Sequence, residues 1–221
     1  MQAITQSHYH VLEIGVHNGF HAAMFTSLLD PDLGIYHGIE LMPNCYLSAL
    51  AQLKLNNAGN NFHLMQAAAG DKTGIVSYAD IDSGNGSVVN SGGIPVSQIT
   101  GDSLLPYFNG RIELLKIDVE GYEAFVLEGC SEILAQKPNV AIELHFSAWP
   151  GFKTTLEQVF KKINLEDYHG VFFCNPNSGE LYGLEDPERI RPFNLTDLKK
   201  SDNMNVFLFS KKYFRRLPDE F

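Results

Sequence analysis

The chain has 221 residues, of which 44% are hydrophobic and 19% charged, and its formal net charge is −10 at pH 7. A chain of this length and composition buries enough apolar surface to fold without disulfides or metals, which excludes an intrinsically disordered protein. The negative charge repels phosphate backbones, so we expect no nucleic-acid partner held by electrostatics.

Cysteine usage and terminal composition indicate where the protein works. The three cysteines, Cys45, Cys130 and Cys174, lie far apart without disulfide or metal-ligand spacing, and they predict buried thiols in a reducing compartment. The N-terminal residues carry no export signal, and no apolar run approaches the ~20 residues that a membrane span needs. We therefore expect a cytoplasmic protein without a membrane span. Residues 1–221 are expected to form one domain, which could belong to a longer protein.

Short apolar runs alternate with segments of helical period, which is typical of βαβ units and a mainly parallel sheet. The predicted strands are His10–Ile14, Ile35–Glu40, Asn61–Met65, Ile112–Asp118, Val140–His145, Gly170–Cys174 and Asn205–Phe209. Helices are predicted over Asn18–Leu29, Pro43–Ala58, Glu120–Ala135 and Thr154–Asn164. Runs such as ELLKID are too apolar for a sheet with one solvated face, so we expect helices on both faces.

The turn after the first strand reads EIGVHNG from Glu13 to Gly19, an acidic-x-Gly-x-x-x-Gly pattern. Gly15 permits a tight turn, and Gly19 allows the chain to approach a ligand at a helix N-terminus, which offers unpaired N–H groups. Glu40 ends the second strand 21 residues after Gly19, where a carboxylate can accept hydrogen bonds from both ribose hydroxyls. Together these residues predict a nucleoside-binding half-site.

Two nucleoside cofactors compete for this half-site. A dinucleotide fingerprint needs the spacing G-x-G-x-x-G, which the segment Gly15–Gly19 lacks. Enzymes that use S-adenosylmethionine (SAM) place an acidic residue two positions before the first glycine, as Glu13 stands here. The pattern therefore favours SAM over NAD.

Three stretches resemble the FkbM-type methyltransferases. LEIGVHNGFHAA (Leu12–Ala23) is similar to the family's acidic-x-Gly-x-Asn-x-Gly-Tyr opening, and Ile39–Tyr78 is similar to its EPNP…N…AALGD…G run. LLKIDVEGYEAFVLEGC (Leu114–Cys130) is close to the family's most specific signature, K-I-D-V-E-G-x-E-x-x-V-L-x-G. The family usually has Asn at the position of His17 and Glu-Pro at residues 41 and 42. The resemblance spans roughly residues 11 to 146.

The resemblance implies a Rossmann-like class I methyltransferase fold, with a seven-stranded, mostly parallel α/β sheet and SAM across the carboxyl ends of its first strands. It also implies an O-methyltransferase that acts on a sugar hydroxyl. The acceptor would be a glycan or a glycosylated small molecule, with a deoxyhexose such as rhamnose as a candidate. On this mapping the residues that line the cofactor are Glu13, Gly15, His17, Gly19, Glu40, Gln66 and Ala67, the last two at the adenine.

Carboxylates and a histidine follow two central strands. Asp118 ends one strand, at the rim where open α/β sheets bind ligands, and Glu143 and His145 repeat the arrangement on the next. Methyl transfer to a hydroxyl needs alignment and a base that removes the hydroxyl proton. We expect His145, largely neutral near pH 7, to be this base, with Asp118 or Glu143 orienting its ring. The competing assignment makes Asp118 the base.

Asp118, Glu143 and His145 could also bind a divalent metal ion, because carboxylates and imidazole are suitable ligands. A metal-free site is nevertheless the favoured interpretation.

Two other functions compete with methyl transfer. An NAD(P)-dependent sugar oxidoreductase or epimerase would need a third glycine and a Tyr-x-x-x-Lys pair, which the sequence lacks. A non-catalytic nucleoside-binding domain is the third alternative, against which the intact Glu13 and Glu40 argue.

The segment Asp71–Gly101 interrupts the alternation of strands and helices. Its β-rich and Gly/Ser/Asn-rich stretches predict a hairpin and a flexible loop laid on the sheet. The part Ser83–Gly93 has little apolar surface to anchor it. We expect it to be a mobile cover over the acceptor site.

Overall fold

The computed structural model describes residues 9–56, 58–82, 85–174, 191–192 and 204–213. The strands are β1 (His10–Ile14), β2 (Ile35–Glu40), β3 (Phe62–Gln66), β4 (Ala68–Ala69), β5 (Gly74–Asp82), β6 (Asn85–Val89), β7 (Ile94–Ile99), β8 (Leu114–Ile117), β9 (Asn139–Leu144), β10 (Tyr168–Cys174), β11 (Arg191–Pro192) and β12 (Met204–Ser210). The helices are α1 (Phe20–Leu28), α2 (Pro43–Leu55), α3 (Glu123–Glu128), α4 (Ser131–Ala135), α5 (Trp149–Phe152) and α6 (Leu156–Phe160), with 3₁₀ turns over Asp102–Phe108 and Leu165–Asp167.

The main sheet has the strand order β11-β10-β12-β9-β8-β1-β2-β3. Neighbours from β9 to β3 are parallel, whereas β12 pairs antiparallel with both β9 and β10. The mostly parallel α/β sheet is therefore confirmed, and all seven predicted strands are present. The short edge strand β11 was not predicted, because two residues carry no periodic signal.

The central strands are buried on both faces, which confirms the expectation from their apolar sequence. Within β1, Val11 packs in a cluster with Ala22 of α1 and Leu53 of α2, whereas Leu12 belongs to the cluster on the opposite face. This alternation follows from the period of two in a strand. None of the helices in the described part of the chain combines the length and the apolar character that crossing a bilayer requires.

The predicted helix Glu120–Ala135 is wrong in its bounds. Its first residues are not helical, because Glu120 and Gly121 have φ angles of 52° and 104°, and α3 begins only at Glu123. The helix also stops at Glu128, and α4 starts anew at Ser131. The hydrophobic period continues across both interruptions, so it could not reveal them.

The interrupting segment forms the hairpin that was predicted, β5 with β6, and together with β7 and β4 this hairpin builds a second sheet of order β4-β7-β5-β6. Residues 85–89 of the expected loop form the edge strand β6, which pairs antiparallel with β5. Residues 83 and 84 lie outside the described part. Because Gly86 and Val88 of β6 line the cleft described below, the segment does cover that cleft, while its mobility stays a prediction.

Candidate active site

A cleft that is partly open to solvent lies at the carboxyl ends of β1, β2, β8 and β9. Parallel strands end at the same edge of a sheet, so residues distant in sequence meet there. The lining comes from the turn after β1, the ends of β2 and β8, the β4 alanines and strand β6. The polar residues that line it include His17, Asn18, His21, Glu40, Lys116, Asp118, Glu120 and Glu143.

The two glycines of the first turn have different functions. Gly15 has φ +87° and lines the cleft, and a Cβ there would overlap the carbonyl oxygen of Asp118. Gly19 has φ +85°, but a Cβ on it would lie 2.6 Å from the Cα of Ala49 in α2. Gly19 thus permits the close contact of two helices and is not among the residues that line the cleft, so its approach to a ligand stays a prediction. His17 lies between them and lines the cleft.

Glu40 lines the cleft and holds the surrounding backbone. Its Oε2 accepts hydrogen bonds from the backbone N–H groups of Val16 (3.0 Å) and His17 (2.7 Å), and its Oε1 accepts one from Met42 (2.8 Å). Two N–H groups of the glycine turn are thus not free for a ligand. A carboxylate has about four acceptor positions, so one remains for a ribose hydroxyl.

Glu13 does not line the cleft, in contrast to the expectation from its position in the motif. Its side chain is fully buried, accepts a hydrogen bond from the hydroxyl of Tyr36 (2.6 Å) and pairs with Lys116 (3.0 Å). Lys116 does line the cleft, and it also pairs with Asp118 at 3.5 Å. Burial lowers the pKa of Lys116, but the charges of Glu13 and Asp118 outweigh burial and raise it. The sequence did contain a sign that Lys116 belongs to the site, because a lysine within an otherwise apolar strand is unusual.

Of the two residues expected at the adenine, only one lines the cleft. Ala67 is buried and lines the cleft together with Ala68 and Ala69. Gln66 is exposed and lies outside the lining, because it is still part of the edge strand β3. The assignment of Gln66 is therefore corrected.

Three carboxylates form the opposite rim of the cleft: Asp118, Glu120 and Glu143. Burial raises the pKa of Glu120 and of Glu143, and the charge of Asp118 raises both further. Glu120 has a left-handed backbone, which is strained for a residue with a side chain, and its carbonyl accepts a hydrogen bond from Ser87 (2.9 Å). Strand β6 therefore helps to hold Glu120 in place.

His145 lies beneath this rim and does not line the cleft. It is only 3% exposed, and its Nε2 is 3.4 Å from Glu120 and 3.8 Å from both Asp118 and Glu143. Burial lowers its pKa, but the hydrogen bond and charge of Glu123, with the charges of Glu120 and Asp118, raise it to about 9. This environment favours the protonated form of His145 and disfavours a neutral imidazole base, so the assignment of the base to His145 stays a prediction.

The orientation of His145 comes from a residue that the sequence interpretation did not use. Glu123 is fully buried, and its Oε1 lies 2.7 Å from Nδ1 of His145 and accepts from the N–H of Gly121 (3.0 Å). Its Oε2 accepts from the indole N–H of Trp149 (2.8 Å). Glu123 could have been identified from the sequence, because it is the second Glu of the signature D-V-E-G-x-E.

Comparisons with known proteins give results consistent with this geometry. The family model described as "Methyltransferase FkbM domain" matches residues 13–178. A comparison with curated proteins gave no match. The fold is similar to that of the methyltransferase FkbM from Methylobacillus flagellatus KT, with a TM-score of 0.57, 14% identity and coverage of 93% of this chain and 44% of that one.

A second similar structure is a putative rRNA-methylase from Clostridium thermocellum, with a TM-score of 0.55, 9% identity and coverage of 93% of this chain and 88% of that one. At such identities the structural likeness shows the fold alone. The chain spans less than half the length of the M. flagellatus protein. The match over residues 13–178 covers most of the sequence, and it shows that the chain belongs to the FkbM methyltransferase domain family.

Proposed function

We propose that this protein is a SAM-dependent O-methyltransferase that methylates a hydroxyl of a sugar, in a glycan or a glycosylated small molecule. One observation carries the proposal: a single cleft joins the Gly15 turn and Glu40 on one side to a rim of three carboxylates on the other. The first side suits a nucleoside, and the second suits a polyhydroxylated acceptor. We also propose that the protein acts in the cytoplasm.

The residues of the cleft fit SAM. Glu40 has an acceptor position left for ribose, and the β4 alanines with Ile39 provide an apolar wall for the adenine. The negative charge of the rim suits a sulfonium cation. When bound, SAM supplies an electrophilic methyl group attached to this sulfonium.

The rim is proposed to bind the acceptor and to remove its proton. We assign the base to Glu120, because it lines the cleft, burial raises its pKa, and Ser87 helps to hold its strained backbone. Asp118 and Glu143 would accept hydrogen bonds from neighbouring hydroxyls of the sugar. Tyr122, which is stacked on Phe125 with ring centroids 4.4 Å apart, offers an apolar surface to the sugar ring.

The test is a methyl-transfer assay with isotopically labelled SAM and a panel of glycosides that includes rhamnosides. Mass spectrometry should find one added methyl ether on the sugar and one equivalent of S-adenosylhomocysteine. Transfer to an amine or to a nucleic acid, with none to any sugar, would overturn the acceptor assignment. Tight binding of NAD in place of SAM would overturn the enzyme class.

A further inference from the structure

More carboxylates surround His145 than methyl transfer assisted by one base requires. Four carboxylates, those of Asp118, Glu120, Glu123 and Glu143, lie within 3.8 Å of one imidazole. The one further cation that pairs with this group among the described residues is Lys116, at 3.5 Å from Asp118. The cluster therefore has an excess of negative charge in a partly buried place.

The oxygen and nitrogen atoms of this cluster lie close enough together to bind a single metal ion. One ligand atom each of Asp118, Glu143 and His145 lies within 4.8 Å of the other two. Metal–donor bonds of ~2.1 Å place neighbouring donors about 3.0–3.5 Å apart around one ion. The separations of 3.8 Å from Nε2 of His145 to each carboxylate need only a small inward movement of the partly exposed side chains of Asp118 and Glu143.

The histidine is held as a metal-ligating histidine usually is. Its Nδ1 faces the buried carboxylate of Glu123, which Trp149 and the backbone of Gly121 fix in turn. A carboxylate behind the imidazole sets the ring orientation and makes the other nitrogen a better ligand. Nε2 of His145 consequently points to the carboxylates of the rim. Glu123 thus contacts Nδ1 and leaves Nε2 to the rim carboxylates.

We propose that Asp118, Glu143 and Nε2 of His145 bind one divalent metal ion at the floor of the cleft, and that the ion displaces the Nε2 proton of His145, which is released to solvent. Two carboxylates and one imidazole favour an ion that accepts both oxygen and nitrogen, such as Mn²⁺, over Mg²⁺, which prefers oxygen alone. The carboxylates line the cleft while His145 lies beneath it, so the open coordination positions face the acceptor. The metal-free interpretation favoured from the sequence is revised accordingly.

The role that we give the metal ion in catalysis rests on the proposed function. The acceptor hydroxyl would bind at an open position, where a nearby divalent charge stabilises the oxygen as its proton leaves. The proton passes to Glu120, the C–O bond forms, and the C–S bond breaks with its electron pair remaining on sulfur. The products are the methyl ether and S-adenosylhomocysteine.

Mn²⁺ binding to the purified, chelator-treated chain tests the proposal without SAM or acceptor. Electron paramagnetic resonance should show one bound Mn²⁺ per chain in the wild type. Asp118→Asn and Glu143→Gln, both on the partly exposed rim, should weaken binding at least tenfold. Glu132→Gln, an exposed carboxylate on α4, is the matched control and should leave binding unchanged.

The contribution of His145 has a spectroscopic signature. The bound Mn²⁺ should show a hyperfine coupling to an imidazole nitrogen, which His145→Gln removes. Glu123→Gln should weaken binding by about 10–100-fold, because it removes the carboxylate behind the ring. The proposal is overturned if the wild type binds Mn²⁺ no more tightly than Asp118→Asn or Glu143→Gln, or if no nitrogen coupling is seen.

The failure of this proposal and the failure of the proposed function are distinguishable. If Mn²⁺ binds with these signatures and no sugar is methylated, the metal site stands and the function fails. If sugars are methylated at full rate in a chelator and Mn²⁺ does not bind, the function stands and the metal site fails.

Discussion

Glu40 combines two tasks that are usually considered separately. It fixes the backbone of residues 16, 17 and 42, and it faces the cleft where a ribose is proposed to bind. Glu40→Gln removes the negative charge, and its amide nitrogen can no longer accept backbone N–H groups as a carboxylate oxygen does. We expect SAM affinity to fall by about 1.5–3 kcal/mol, since one hydrogen bond to a charged group contributes about that much. Calorimetry measures this, with Glu132→Gln as control, and an unchanged affinity in a folded Glu40→Gln variant would exclude the ribose contact.

Glu120 is the residue to which we assign proton removal. Glu120→Gln should lower turnover by roughly 10²–10⁴-fold and leave SAM affinity within about twofold of wild type, because the change touches only the acceptor side. Single-turnover kinetics and calorimetry give the two quantities. Wild-type turnover in Glu120→Gln would show that Glu120 is not the base.

His37 makes stability depend on pH. Its ring lies 4.4 Å from the rings of both His63 and Phe108, and its Nε2 has no hydrogen-bond partner in the described part. Burial, with the charges of His63 and His10, lowers the pKa of His37 to about 4. The unfolded chain binds this proton near pH 6.5, so the folded state loses stability as the pH falls from about 6.5 to about 4.

With allowance for partial solvent screening, the loss at His37 is about 2 kcal/mol. Urea unfolding at pH 7 and at pH 4.5 measures it. His37→Phe keeps a ring against Phe108 and should show a pH dependence smaller by that amount. An equal pH dependence in the two proteins would show that His37 is not responsible.

Among the elements, β6 connects the two halves of the cleft. Among the described residues it is an edge strand that pairs only with β5, yet Gly86 and Val88 line the cleft and Ser87 donates a hydrogen bond to the carbonyl of Glu120. Edge strands open more easily than central ones. We expect SAM and acceptor together to slow amide hydrogen exchange in residues 85–89 at least several-fold, with little change in β12. Equal exchange with and without ligands would show that β6 does not close over the site.

For the whole molecule, the cleft joins strands from both sheets, so a bound cofactor should stabilise the complete fold. SAM at about 100 times its dissociation constant should add about 2.7 kcal/mol to the free energy of unfolding, and NAD should add nothing. Chemical unfolding with each compound measures the difference. A stabilisation by NAD equal to that by SAM would contradict the interpretation of the glycine turn.

The sequence by itself determined the strands and the family. Apolar runs of four to six residues locate central strands without further information, which explains why β1 and β2 have the predicted bounds. The spacing from the first turn to Glu40 is local to one βαβ unit, and the signature around Asp118 is continuous in the chain. Patterns of this kind need no knowledge of how distant segments pack.

Only the tertiary structure decided the functions of individual side chains. Glu13 and Glu40 are equally plausible cofactor ligands in the sequence motif. In the structure, Glu13 is buried against Tyr36 and Lys116. Glu40, in contrast, faces the cleft. The pKa of His145 depends on Glu120 and on Glu123 at the start of α3, because charge interactions follow distance in space and not in sequence. The surroundings of these side chains depend on contacts between residues more than twenty positions apart. A local sequence pattern contains no information about such contacts.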